Sequence, residues 1–259
     1  SLERMQAFWC GLAVGLAFVF SPFAAGAETL QVTGSLWTPY MDDQLPNGGL
    51  ATDLVRTALA RAGYEVEPNI EGWSRAYQGT AVGVYDAVAA VWQNDQRSED
   101  LLFSEPYLMN DIVLLARKGV LIDYANLSDL AGYRIGVVRG YAYEDAFDRS
   151  MNLNRVTNYY LIQNLLLLRK GKLEVIVGDK WSIFYQISRY MPDDLEEFRL
   201  LPKPLARRAL RFGVSRQNPE AALIIDRFNQ AIAGMKQDGS YEDIVRKHTE
   251  GLVVLPGKR

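Results

Sequence analysis

Two kinds of side chain are almost missing. In 259 residues there is one cysteine, Cys10, and one histidine, His248. A single cysteine cannot close an internal disulfide, and the two residues together cannot supply the three or four ligands of a zinc site. Catalysis by a Ser/His or Cys/His pair is nearly excluded for the same reason. An excess of positive charge is lacking as well. With 28 Lys and Arg against 31 Asp and Glu the net charge is −3, which argues against a general nucleic-acid binder. The chain is nevertheless 49% hydrophobic and 23% charged, so it is neither disordered nor collagenous, and its length suits one large or two modest domains. No cofactor and no metal are expected.

Long apolar runs are also scarce. One block stands out between Met5 and Pro22, where Phe8, Trp9, Leu12, Val14, Leu16, Phe18, Val19 and Phe20 cluster. It is short for a membrane span and leads into Ala25-Gly26-Ala27, a small-x-small pattern of the kind a signal peptidase accepts. Residues 1–27 are therefore expected to be a signal peptide that carries Cys10 away with it, the alternative being a membrane anchor or a buried helix. The remainder is expected to be exported.

From Glu28 onward, strand-like and helix-like patterns alternate. Thr29 to Gly34 alternates with period two, and Ala51, Leu54, Val55, Ala58 and Leu59 recur at helical spacing before Gly63. Strands are expected at Glu65–Ile70 and Asp86–Val91, with a helix between them at Ser74–Val82. The rhythm resumes with apolar Ile112–Ala116, a strand at Arg134–Val138, helices at Tyr143–Met151 and Leu161–Arg169, and a strand at Leu173–Val177. A helix at Trp181–Tyr190 and strands at Phe198–Leu201 and Leu210–Ser215 follow. Pro219 is expected to open a helix ending at Asp238-Gly239, and Ser240 with Asp243 to cap a last one to about His248. This is the pattern of βαβ units in two α/β lobes.

A series of motifs in order runs through the same stretch: Trp37-Thr38-Pro39-Tyr40, Gly48-Gly49-Leu50 with Asp53, Trp73, and Gly83-Val84-Tyr85-Asp86-Ala87. After these come Arg97 with Phe103-Ser104-Glu105-Pro106-Tyr107, Asp129-Leu130-Ala131-Gly132-Tyr133, Gly136 to Gly140, Gly171-Lys172-Leu173-Glu174, Asp179 and Asp238-Gly239-Ser240-Tyr241. In order and spacing the chain resembles family 3 of the bacterial extracellular solute-binding proteins. The resemblance implies a two-lobed periplasmic binding protein fold of class II type, each lobe a mostly parallel sheet with helices. Lobe one would be residues 28–113 and 212–259, lobe two residues 114–211, with hinge strands crossing near Ile112–Arg117 and Arg208–Val214. It also implies a periplasmic monomer that closes on a small polar solute, an amino acid or related carboxylate, and delivers it to an ABC permease.

The same resemblance assigns site residues. Arg97 matches the arginine that grips a ligand carboxylate, a task suited to the guanidinium fork. Asp179 matches the carboxylate that holds a ligand ammonium, and it could equally be an ordinary cap of the helix that follows. Trp37 and Trp73 match an aromatic pair around the ligand. Tyr141 occupies a position usually held by Ser or Thr, where backbone N–H groups at a helix start can add donors. Arg75 is a further candidate contact. The Arg207, Arg208 and Arg211 cluster reads as a solvated hinge margin, and His248 as a residue suited to a helix C-terminus.

Three departures from the family pattern point to a reshaped pocket. The segment from Asp86 to Arg97 is one residue short, with Trp92-Gln93-Asn94 replacing small and hydroxyl residues, so Trp92 is expected to fill the pocket or stack on the ligand. Tyr141 adds bulk, and Glu174 stands where an Asp is usual. Two other functions stay open. One is a periplasmic enzyme resembling cyclohexadienyl dehydratase, with Glu174 and Asp179 as its candidate carboxylates. The other is a soluble sensor partner of a membrane receptor.

Overall fold

The computed structural model describes residues 26–253 and Leu255, so the expected signal peptide lies almost wholly outside the described residues. Among the described residues, no helix is long and apolar enough to cross a membrane. The elements run β1 (Glu28–Gly34), α1 (Leu50–Arg61), β2 (Tyr64–Ile70), α2 (Trp73–Ala81), β3 (Ala87–Val91), α3 (Asp95–Asp100), β4 (Leu101–Phe103) and β5 (Leu108–Arg117). They continue with β6 (Arg134–Val138), α4 (Asp145–Arg149), β7 (Asn154–Asn158), α5 (Leu161–Arg169), β8 (Val175–Asp179) and α6 (Lys180–Tyr190). The last are β9 (Phe198–Leu200), β10 (Ala206–Ser215), α7 (Ala221–Asp238) and α8 (Ser240–Thr249).

The strands follow one path, β2-β1-β3-β10-β5-β8-β6-β7, with β4 beside β10 and β9 beside β5. β1 pairs in parallel with β2 and β3, and β6 in parallel with β7 and β8, as strands joined through helices must. The antiparallel exceptions involve β5 and β10, the two long strands that pass between the halves. β10 uses Arg211–Val214 against β3 and Gly213–Ser215 against β4, and it pairs Ala206–Leu210 with Leu108–Ile112 of β5. β5 then continues through Ile112–Ala116 against β8.

Separate cores flank this crossing. In one, Leu30, Val32, Leu54, Leu59, Phe212, Phe228 and Ile232 bury the α1, α7 and β1 faces. In the other half, Leu165, Ile176, Ile183 and Phe184 pack on one side of the sheet, and Ile112, Leu114, Ile135, Phe147 and Val177 on the other. Two tryptophans touch both halves: Trp92 packs against the first core and against the Ile112 group, and Trp181 against the first core and the Leu165 group.

Several local expectations are corrected. Instead of a helix over Tyr143–Met151 there is only the short α4, because the Glu144 carboxylate accepts from the N–H groups of Ala146 and Phe147 and so starts the helix later. Tyr143 is a core residue whose hydroxyl accepts from Val138 N–H at 2.7 Å. Pro219 lies outside α7, which follows Glu220. Ser240 does not cap α8. Its hydroxyl receives Arg61 at 2.9 Å and faces the Met235 carbonyl, while Gly239 makes the turn at φ 85°. The strand expected at Leu173–Val177 runs Val175–Asp179. The polar elements α3 and β7 were not legible, since Asp95–Asp100 has no apolar stripe and β7 is a polar edge strand.

Candidate functional site

The segment after β1 folds back on itself, with Trp37 N–H donating to the Met41 carbonyl and Tyr40 N–H to the Trp37 carbonyl. Gly49 makes this fold possible. At φ 97° it brings its Cα so close to the Pro39 and Tyr40 carbonyls that a Cβ would lie 2.8 and 2.7 Å from their oxygens. Tyr40 is thereby held fully buried, with its hydroxyl aimed out of its own half.

That hydroxyl meets Asp179. At the end of β8, Asp179 is 2% exposed, and its carboxylate accepts from three donors: the Tyr40 hydroxyl, shared between both oxygens at 2.9 and 2.8 Å, Asn110 Nδ2 at 3.1 Å and Ser182 N–H at 2.9 Å. Close by, the Ser182 hydroxyl donates to the Thr38 carbonyl at 2.9 Å. Asp179 is thus the N-cap of α6 and also the point where the two halves are tied. Burial pushes its carboxyl above the ordinary carboxylate value, against the lowering effect of the Ser182, Tyr40 and Asn110 donors. Burial, and then the Asp179 charge, raise the Tyr40 hydroxyl well above its usual value.

An aromatic cluster lies against this knot. Trp37 is 4.4 Å from Tyr40 and 5.8 Å, edge-on, from Trp92, which in turn lies 5.7 Å from Tyr141, ring centre to ring centre. Trp92 Nε1 donates to Asn110 Oδ1 at 2.9 Å, so the indole and Asp179 share one asparagine. Tyr141 stacks toward Tyr143 at 4.6 Å, and its buried hydroxyl has no hydrogen-bond partner among the described residues. Burial, followed by Asp179 and Tyr143, raises that hydroxyl well above the usual tyrosine value. The helix-start role expected around Tyr141 is not available. Its N–H goes to the Val138 carbonyl at 3.3 Å, and α4 begins four residues later.

Arg97 sits in α3, whose first turn is set by the Asn94 side chain accepting from Arg97 N–H at 2.7 Å. Its guanidinium donates to the Trp92 carbonyl at 2.6 Å and lies 5.1 Å from the Trp73 ring centre and 6.0 Å from that of Tyr77. The expected residues therefore form two adjoining groups, Trp37, Trp92, Tyr141 and Asp179 in one and Arg97 with Trp73 in the other, joined through Trp92. Arg75 stands apart, its side chain 84% exposed with Glu71 at 3.8 Å. Glu174 is also committed elsewhere, to the Arg134 guanidinium at 2.6 Å and to Arg134 N–H at 2.8 Å.

Four participants were missed by sequence reading: Tyr40, Asn110, Ser182 and Arg208. Tyr40 closes the Trp37-Thr38-Pro39-Tyr40 motif, and Arg208 is not the solvated residue its position in an arginine cluster predicts. In a strand its side chain points to the face opposite Arg207, and it stacks on Trp92 with its guanidinium carbon 4.1 Å from the ring centre. Arg207 instead bonds Asp111 at 2.8 Å. His248 lies in the last turn of α8, as expected, and its buried side chain also has Nε2 2.8 Å from Asp53 Oδ2, tying α8 to α1.

Comparison with known proteins places this geometry. The model of the bacterial extracellular solute-binding proteins, family 3, matches residues 36–251. The ABC transporter arginine-binding protein 1 of Escherichia coli (strain K12) is 24% identical over 162 residues, 62% of this chain and 64% of that protein, so the chain spans just under two thirds of that relative. The "Probable histidine-binding protein" of Campylobacter jejuni is 26% identical over 204 residues, 77% of this chain and 76% of that protein. An ancestral arginine-binding protein bound to arginine superposes with a TM-score of 0.67 at 20% identity, over 86% of this chain and 99% of the other.

Proposed function

Because the chain belongs to family 3 of the bacterial extracellular solute-binding proteins, we propose that it captures a small polar solute, an amino acid or related carboxylate, between two closing lobes in the periplasm. The solute would pass to an ABC permease, with the protein acting as a monomer and breaking no bond. Lobe one is taken as residues 28–113 and 212–259, and lobe two as residues 114–211. The observation that carries the reading is the knot of Thr38, Tyr40, Asp179 and Ser182. Tyr40, from the first core, and Asp179, at the end of β8 in the other half, meet there through a buried hydrogen bond, beside a part-buried one from Ser182 to Thr38, and aromatic rings and the Arg208 guanidinium adjoin them along the boundary. A boundary of that kind can part and re-form around a ligand, and a solute touching both sides favours the closed state.

The proposed ligand contacts are Arg97 for a carboxylate, Trp37, Trp92 and Tyr141 as aromatic walls, Trp73 as the support of Arg97, and Asp179 as the closure point. Arg75 would act only at the rim. The relatives named as arginine- and histidine-binding suggest amino acids as the first solutes to test. A thermal-shift screen with amino acids, polyamines and small organic acids, followed by calorimetry on any hit, tests the reading. A saturable rise in melting temperature supports it, and no response across the screen refutes it. Incubation with prephenate or arogenate should yield no aromatic product, since the Glu174 carboxylate is held by Arg134.

A further inference from the structure

The inference rests on the solute-binding reading and narrows its ligand. An α-ammonium group buried in a closed cleft needs a carboxylate with free acceptor capacity, because an unpaired buried charge is very costly. Asp179 has little to offer. It is 2% exposed and already accepts from Tyr40, Asn110 and Ser182, so in the closed arrangement an ammonium would have to compete with these donors for it.

Positive charge on the other side of Trp92 has the opposite problem. Arg208 stacks on the indole and spends one donor on the Ala142 carbonyl at 2.9 Å, while Arg97 holds the Trp92 carbonyl. Among the described residues, neither guanidinium has a carboxylate within 4.0 Å. A guanidinium carries five donors, so both have capacity left. Burial is the main influence lowering Arg97 from its ordinary value, Tyr77 opposes it, and the Arg208 charge adds to the lowering. An anion between these groups would offset both the burial of Arg97 and the Arg208 charge. An open cavity of about 410 Å³ is lined by Arg208 together with Trp92, Asn94, Asp95, Arg207 and Arg211, and Arg97 borders it through its bond to the Trp92 carbonyl. Its one carboxylate, Asp95, is exposed and so screened by water.

From this imbalance we propose that the solute is a small dicarboxylate without an α-amino group, its carboxylates held by Arg97 and Arg208 beside the Trp92 face. The test is calorimetry of the full chain with succinate, glutarate and adipate, set against L-glutamate, L-arginine and L-histidine. At least one dicarboxylate should bind at least tenfold more tightly than every amino acid. Arg208→Gln should weaken that dicarboxylate at least tenfold, and Arg208→Lys, which keeps the charge but not the stacked fork, should fall between, with melting temperatures of the free variants recorded to show that they fold. Tighter binding of an amino acid than of any dicarboxylate overturns the inference while leaving the solute-binding reading in place. Silence from both sets in calorimetry and thermal shift counts against both. Arg208→Gln binding the dicarboxylate as well as the unaltered chain overturns the assignment of Arg208.

Discussion

The Tyr40 hydroxyl lies 2.9 and 2.8 Å from the two carboxylate oxygens of Asp179, across 139 residues of sequence. Tyr40 belongs to the core of one half of the molecule and Asp179 ends a strand in the other, so this contact ties the two halves together. Tyr40→Phe removes the hydroxyl alone. It should destabilise the chain by about 1–3 kcal/mol, because a buried carboxylate loses a donor. Chemical denaturation measures this, and an unchanged midpoint and slope would show that the contact does not hold the halves together.

Gly49→Ala should act on the same contact from a distance. The new Cβ would press on the Pro39 and Tyr40 carbonyls at 2.8 and 2.7 Å, and these are backbone atoms that cannot rotate away. With the positive φ, a loss of about 1–3 kcal/mol is expected. Proteolysis of the segment after β1 should quicken in the variant, and wild-type resistance would contradict this.

His248→Leu tests the tie between the last helix and α1. It leaves Asp53, whose side chain is 10% exposed, with Asn47 at 3.2 Å and Thr57 at 3.4 Å as its side-chain donors among the described residues. A cost of about 1–3 kcal/mol is expected, read as a lower melting temperature. A variant as stable as the parent would show that the ring contributes no more than its bulk.

Arg97→Ala should weaken any carboxylate ligand by at least about tenfold, the equivalent of about 1.4 kcal/mol. Arg97→Lys should rescue little, since an ammonium cannot both reach the Trp92 carbonyl and stack on Trp73 as the planar guanidinium does. Undiminished affinity in calorimetry would place the anion elsewhere.

Glu174 provides a pH test remote from the cleft. Its bonds to the Arg134 side chain, and then to Arg134 N–H, hold its carboxyl below the ordinary carboxylate value. A lowered folded-state value means stability that is present above the unfolded value near 4.5 and is lost as pH falls through the folded one. Glu174→Gln should therefore be less stable than the parent at neutral pH and converge with it in acid. Parallel stability curves over that range would contradict the pairing.

How far the sequence leads can be traced element by element. Apolar spacing placed α1, α2, α5 and α6 within a residue or two, because each buries one stripe against a sheet and the stripe is visible in the order of residues. It also placed the five-residue strand Ala87–Val91, which is buried throughout. The motif series carried the family, and with it the two-lobed fold. The polar helix Asp95–Asp100 escaped notice, and so did the face on which Arg208 lies, because neither has an apolar pattern of its own.

By itself, then, the sequence excluded an internal disulfide and a zinc site built from His and Cys, and its alternating apolar patterns implied paired α/β lobes. Those are consequences of composition and local order, whereas Arg97, Trp92 and Asp179 became candidates only through the family resemblance. Only the tertiary structure decided who satisfies whom. Asp179 turned out to be enclosed by Tyr40, Asn110 and Ser182, and Arg208 was found stacked on Trp92. Partners separated by scores of residues are chosen by how the two cores meet, and hydrogen-bond capacity, once used inside the protein, is no longer available to a ligand.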